Sequence, residues 1–253
     1  MEYLKRKKES VLGFEVDLYS FDTALQYVNQ HMKENKGMQI VTINPEMIEI
    51  GKSNNEFGRI LNEADLVIPD GVGVKLALKI KGINQENIPG VEFSKRLIKL
   101  CELEGYTIGL LGAKEEVVQK AATNLRNEFK NLNITYVRNG YFDDQEKNII
   151  TQELKALEPK VVFVALGAPK QEMLSNELKE QMPKTIFIGV GGSFDVWSGM
   201  VKRAPKIWQK MGLEWLYRTI KEPSRFKRIF PTLPLFLIQV TIEAIQEKFR
   251  FKK

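Results

Sequence analysis

Five short stretches of the chain combine small residues with groups that can hold or move a proton. They are Thr42-Ile43-Asn44-Pro45, Pro69-Asp70-Gly71-Val72-Gly73, Gly109-Leu110-Leu111-Gly112-Ala113, Leu166-Gly167-Ala168-Pro169-Lys170-Gln171-Glu172 and Gly189-Val190-Gly191-Gly192-Ser193-Phe194-Asp195. Each includes or follows an apolar run that reads as a strand. In a doubly wound sheet the residues just beyond the strands are where ligands bind. Several of these stretches are glycine-bearing turns leading into a helical pattern, where main-chain N–H groups and the helix dipole favour a phosphate. They suggest a nucleotide or nucleotide-sugar ligand, with Gly71, Gly112, Gly167 and Gly191 as candidate cradles. Glycine at such a turn serves backbone geometry equally well. None of the stretches is G-x-x-x-x-G-K-[ST], and the run from Gly189 through Gly191 reaches Phe194 where the dinucleotide fingerprint needs glycine.

Asp70 is the candidate general base. It follows an apolar strand and precedes glycines, so its carboxylate should stand at the ligand edge of the sheet, beside low-dielectric walls that favour uptake of a proton. The same position suits an N-cap of the following helix. Asp195 is open to a turn-forming role or to holding a ligand hydroxyl. The aspartates lie at 17, 22, 65, 70, 143, 144 and 195 and form no D-x-D, the usual cue for a metal bridging a sugar diphosphate. Leaving-group charge would then fall to helix N-termini or to Arg and Lys. His31 and Cys101 are the sole residues of their types, which excludes an internal disulfide, a multi-Cys metal site and a His-pair zinc site. Acid–base work is left to Asp or Glu; His31 reads as a surface residue and Cys101 as packing.

The elements that must position these groups follow from composition and periodicity. The 253 residues are 43% hydrophobic and 28% charged, which is globular and not disordered. Strand patterns cover Met38–Ile43, Asp65–Ile68, Tyr106–Leu111, Asn133–Val137, Lys160–Leu166 and Thr185–Val190. Helical patterns cover Phe21–Lys33, Glu46–Leu61, Val72–Ile80, Val91–Leu103, Lys114–Phe129, Asp144–Ala156 and Lys170–Gln181. This alternation predicts a Rossmann-like α/β/α sandwich with a mostly parallel sheet over about residues 1–195. Several strands are nearly all apolar, as sheets covered on both faces require.

Residues 196–253 read as a helical appendage packed near the body, with a helix near Lys206–Lys221, another opening at Pro223 and an amphipathic one from about Leu233 to Phe249. The net charge of +6 divides unevenly: residues 202–253 hold 13 Lys/Arg against 4 Glu, a net of +9, and the remainder is −3. Such a tail points to an anionic partner. Arg218, Lys221, Arg225 and Arg228 are spaced 3, 4 and 3 apart, one face of a continuous helix unless Pro223 resets the register. A merely solvated basic face fits the same spacing. Trp208, Trp215, Leu216, Phe230, Leu233, Leu235, Phe236 and Ile238 lie beside it and suit a bilayer interface, a second subunit or the core. The longest uncharged apolar stretch, Ile229–Ile242, is 14 residues with Pro231 and Pro234 inside, whereas a spanning helix needs roughly 20. With no export signal at the N-terminus, a cytosolic or membrane-peripheral protein is expected. No nucleic-acid-binding motif is present.

Asp70-Gly71-Val72-Gly73, Leu166 to Glu172, Gly189 to Asp195 with Gly199, Arg203-Ala204-Pro205, Gly212-Leu213-Glu214-Trp215-Leu216-Tyr217-Arg218 and Glu222-Pro223-x-Arg225 together resemble the WecG/TagA/CpsF glycosyltransferases, in order and over about Gly13 to Arg228. The resemblance implies an inverting transferase needing no metal or cofactor. Such an enzyme moves an N-acetylmannosamine-type sugar from UDP to a polyprenyl-diphosphate-linked N-acetylglucosamine at the cytoplasmic membrane face. In the wall teichoic acid branch the product is the disaccharide linkage unit. The donor sugar stays open among N-acetylmannosamine, its uronic acid and glucose, as does homo-oligomerisation. Asp70 matches the family's proposed base, Thr42 and Asn44 match pocket residues, and Gln171 and Glu172 fall in the nucleotide-sugar motif. Arg218 and Arg225 match basic tail residues expected to close over the site and hold the diphosphate, with Arg228 on the same face.

Overall fold

The structure, a computed structural model, describes residues 6–202, 204, 205, 208, 217 and 226–250, with backbone alone at 226–231 and 250. It opens with an antiparallel hairpin, β1 (Lys8–Val11) and β2 (Phe14–Asp17), absent from the sequence expectation. Four-residue strands are too short to display a period. The turn between them also lacks the usual Asn-Gly signal: Leu12 and Gly13 adopt φ of 53° and 85°, the positive values that a two-residue hairpin turn demands. Asp17 closes the hairpin onto the body by accepting the Val67 N–H at 2.8 Å while pairing with Arg6.

Helices and strands then alternate: α1 (Phe21–Lys33), β3 (Met38–Ile43), α2 (Pro45–Ser53), α3 (Asn55–Glu63), β4 (Leu66–Pro69), α4 (Gly71–Ile80), α5 (Gly90–Glu104), β5 (Thr107–Gly112), α6 (Glu115–Glu128), β6 (Asn133–Arg138), α7 (Asp144–Leu157), β7 (Val161–Ala165), α8 (Lys170–Gln181), β8 (Ile186–Gly189) and α9 (Ser193–Trp197). Strands β3 to β8 form one parallel sheet in the order β4-β3-β8-β7-β5-β6. Successive side chains alternate between its faces. Ile40, Ile108, Phe163 and Ile188 pack under α1, α5, α6 and α9. Val41, Leu111, Val162 and Phe187 pack under α2, α3, α4, α7 and α8. Burial on both faces is why these strands read as unbroken apolar runs.

Where one helix was expected over Glu46–Leu61 there are two. Asn54 breaks the helix in an extended conformation, and its side chain accepts the Phe57 N–H at 3.0 Å to start α3. The two helices cross closely: a Cβ on Gly58 would lie 2.7 Å from the Gly51 carbonyl oxygen. The tail departs from expectation too. Its last part is one helix, α10 (Phe226–Arg250), which continues through Pro231 and Pro234. Each proline removes one N–H donor, but the turns beyond them are docked. The helix expected to open at Pro223 and the one expected from Leu233 are thus a single element, while the helix expected at Lys206–Lys221 falls almost wholly outside the described residues.

Helix α10 is apolar on two opposite sides. Phe236 and Val240 are fully buried against α2 and α4, with Leu233 and Leu237 partly so, worth about 1.5–3 kcal/mol for each fully buried side chain. Leu235, Ile238, Ile242, Ile245 and Phe249 face outward and are at least 49% exposed. The helix is also held at Lys81 on α4, whose side chain is 2% exposed and reaches Glu247 at 2.8 Å, Glu9 at 3.2 Å and Glu243 at 3.5 Å. Burial alone would lower the Lys81 pKa; hydrogen bonds to Glu247 and Glu9 and the charge of Glu243 raise it above its usual value. Both carboxylates of this part of α10 are thus turned toward the body. No helix among the described residues is long and apolar enough to cross a membrane.

Candidate functional site

The strand order brings all five glycine-bearing or polar stretches to one edge, the carboxyl ends of β3, β4, β5, β7 and β8. Connections leave β5 toward β6 and β7 toward β8, in opposite directions, and such a divergence opens a crevice at the strand ends. Main-chain bonds knit the edge together. Asp70 N–H donates to the Ile43 carbonyl, Ala113 to Ala165 and Val190 to Val164, each at 2.9 Å. At Gly112 a Cβ would lie 2.3 Å from the Ala165 carbonyl oxygen, so this approach requires glycine.

How the helices begin divides them into two groups. α1, α2, α3 and α7 start with a side-chain cap from Ser20, Asn44, Asn54 and Asp143. α4, α6 and α8, which follow β4, β5 and β7 at this edge, start without one. An uncapped N-terminus presents main-chain N–H groups and the positive end of the helix dipole to an anion. Asn44 stands at this edge but its side chain accepts the Met47 N–H at 3.1 Å.

Asp70 does not cap the helix it precedes. Its half-buried carboxylate instead accepts the Gly90 N–H at 3.2 Å, at the start of α5, where Pro89 has no capping side chain. The turn is held beside β4 by the Ile88 N–H on the Pro69 carbonyl at 3.0 Å. Gly71, with φ of 82°, lets the chain turn straight from Asp70 into α4. Thr42 is buried next to this point. Its hydroxyl donates to the Gly189 carbonyl at 3.3 Å, tying β3 to β8, and a Cβ on Gly90 would come within 3.1–3.3 Å of its side chain. The 88–90 turn was missed in the sequence, although Pro89-Gly90 before a helical period is a usable signal.

Gln171 and Glu172 lie beneath the loops, 4% and 2% exposed. Gln171 Oε1 accepts the main-chain N–H of Gly167 at 3.1 Å and Gly191 at 3.0 Å, and its Nε2 donates to Glu172 Oε1 at 2.7 Å. Burial pushes the Glu172 carboxyl up to about 7, opposed by its bonds from Gln171 and from its own main chain. Asp195 is half-buried in α9, where its main-chain carbonyl accepts the Val201 N–H at 3.0 Å and the Ser198 hydroxyl at 2.9 Å.

The tail approaches the same edge. A Cβ on Gly73, three residues beyond Asp70, would lie 2.4 Å from Pro45 Cγ and 3.0 Å from Leu233 Cδ1 of α10. Arg218 and Arg225 lie outside the described residues, and of Arg228 only the backbone, within α10, is described. His31 is half-buried, its ring 4.4 Å from that of Tyr27 and its Nδ1 3.0 Å from the Tyr27 carbonyl oxygen. Cys101 is buried. No group of three His, Cys, Asp or Glu side chains gathers as a metal site among the described residues. A surface cleft on the edge strand β6, lined by Thr135, Tyr136, Arg138 and Glu153, holds none of the candidate residues. A family model described as the glycosyl transferase WecG/TagA/CpsF family matches residues 9–250.

Proposed function

The chain belongs to the WecG/TagA/CpsF glycosyltransferase family, and from that premise we propose that it transfers N-acetylmannosamine from UDP to N-acetylglucosamine carried on undecaprenyl diphosphate, with inversion and without a metal or cofactor. The product is then the β-1,4-linked disaccharide linkage unit of wall teichoic acid. The observation that carries this reading is Asp70: a half-buried carboxylate at the strand ends, not spent on capping its own helix, among helix N-termini with no side-chain cap.

UDP-sugar lies across the strand ends, with its diphosphate toward the N-termini of α4, α6 and α8 and the turns at Gly71, Gly112, Gly167 and Gly191. Thr42 and Asn44 border the reacting centre beside Asp70, and Asp195 holds a ligand hydroxyl from the β8 side. Asp70 takes the proton of the acceptor hydroxyl. That oxygen attacks the anomeric carbon from the face opposite UDP, the bond to the UDP oxygen breaks, and the pair of electrons leaves on the diphosphate. Arg218 and Arg225, with Arg228 beside them, meet the developing negative charge in place of a metal.

Residues 1–195 form the catalytic unit in this reading, and 196–253 an appendage that closes the site and rests on the inner face of the cell membrane. Support for the membrane role comes from the tail charge of +9 and from the outward stripe of α10, which carries no carboxylate and ends beside the exposed Lys248. The deciding assay measures UDP release from a panel of UDP-sugars, those of N-acetylmannosamine, its uronic acid and glucose, with a short-chain lipid-diphosphate N-acetylglucosamine, with and without EDTA. Asp70→Asn should lower turnover by about 10² or more and leave UDP binding nearly intact. Near-normal turnover by that variant removes Asp70 as the base.

A further inference from the structure

The buried pair beneath the glycine turns has a definite polarity. Because Gln171 Oε1 accepts from both Gly167 and Gly191, the turn after β7 and the turn after β8 hang on one oxygen. With that oxygen committed, Nε2 must point away, and it meets Glu172 Oε1 at 2.7 Å. The opposite orientation would set an NH2 group against two N–H donors. Gly189 encloses the pair, since a Cβ there would lie 2.7 Å from Gln171 Nε2 and 2.8 Å from Glu172 Oε1. Glu172 is anchored from the sheet as well: Gln39 Nε2, on β3, donates to its main-chain carbonyl at 2.8 Å.

We propose that Glu172 is a positioning residue for donor binding: it sets the direction of the Gln171 amide, and that amide fixes the spacing of the two glycine turns that face the donor. The role rests on reading this edge as the nucleotide-sugar site. At 2% exposure Glu172 acts through Gln171 rather than on the ligand. Among the described residues its second oxygen, Oε2, is buried without a hydrogen-bond partner, as are Gln39 Oε1 and Ser175 Oγ. A carboxyl placed so is stable as the neutral acid, and burial accordingly pushes it up to about 7.

Among the described residues nothing charged nearby compensates the ionised form. β3, β7 and β8, which pack on α8, carry no titratable side chain. On α3, Glu56, Arg59 and Glu63 are exposed, and Arg59 pairs with Glu63. On α8 itself Lys179 pairs with Asp65 and Glu177 with Lys147, while Lys170 and Glu180 are exposed. The folded chain therefore holds the Glu172 proton at pH values where the unfolded chain, with the ordinary value of 4.5, has lost it. Stability falls as pH rises from there through about 7, above which a buried charge stands unpaired.

The test compares wild type, Glu172→Gln and Glu172→Met as full chains, with UDP as the probe in calorimetric titrations from pH 6 to 8.5 and with KM measured separately for donor and acceptor. Glu172→Met leaves Gln171 Nε2 without an acceptor and should raise the UDP Kd and donor KM about tenfold, with the acceptor KM unmoved. Glu172→Gln retains an accepting oxygen. It should bind UDP within about twofold of wild type at pH 6 and lack the weakening expected of wild type toward pH 8.5, where an ionised Glu172 puts a buried negative charge beneath the turns that face the diphosphate. Wild-type-like UDP binding by folded Glu172→Met overturns the role, as does a pH profile of Glu172→Gln identical to wild type. Should Glu172→Met not fold, the glutamine comparison decides alone. Failure of wild type to bind UDP would instead strike the nucleotide-sugar reading itself.

Discussion

The docking of α10 can be dissected at Phe236. This side chain is fully buried between α10 and the α2–α4 layer, whereas Ile238, two residues on, is 57% exposed on the opposite side. Replacing a buried Phe by Ala costs about 3–5 kcal/mol. If α10 leaves the body as a unit, that cost enters its opening equilibrium directly. At about 1.4 kcal/mol per factor of ten, the open population rises from roughly 10²-fold to a few times 10³-fold. Hydrogen exchange followed peptide by peptide measures this: amides of 233–247 should lose that much protection in Phe236→Ala, while those of β3, β7 and β8 lose less. Ile238→Ala should stay within about 0.5 kcal/mol of wild type. Because Leu233 lies against the first turn of α4 near Asp70, turnover should fall together with protection in Phe236→Ala. Protection of 233–247 changed by less than about threefold would refute the claim that Phe236 holds the helix down.

Two further outcomes test the same structure. Lys81→Met leaves Glu9, Glu243 and Glu247 without their shared cation; urea unfolding should show a loss of about 2 kcal/mol, and a loss below about 0.5 kcal/mol would mean that the cluster contributes nothing beyond a surface pair. Cys101, buried and with its thiol pushed up to about 12 by desolvation, should resist a maleimide reagent at pH 8 in the native protein and react on unfolding in urea, since the thiolate is the reactive form; labelling of the native protein as fast as the unfolded chain would contradict its burial.

The residues at the carboxyl-end edge of the sheet were legible because strands buried on both faces announce themselves, and the residues directly after such a strand lie at that edge by construction. All six strands of the sheet fall within about a residue or two of their periodicity-based bounds. The hairpin at 8–17, the break at Asn54 and the continuity of α10 were not legible. Each turns on a single residue whose behaviour depends on what packs against it: Leu12 in a left-handed conformation, Asn54 as a cap, Pro231 inside a helix docked further along.

The site divides in the same way. The sequence alone determined that Asp70, the glycine turns and Gln171-Glu172 sit at strand ends, because periodicity records which side of an element is apolar. It left open whether Asp70 caps a helix, since both roles suit the same position. Tertiary structure decided that by placing the Gly90 N–H, 20 residues away, on its carboxylate. Folding likewise put β8 between β3 and β7, which brings Gly189 onto Thr42 and closes Gln171 and Glu172 under two loops. Such contacts depend on strand order, and strand order is set by long-range packing that no local pattern of residues encodes.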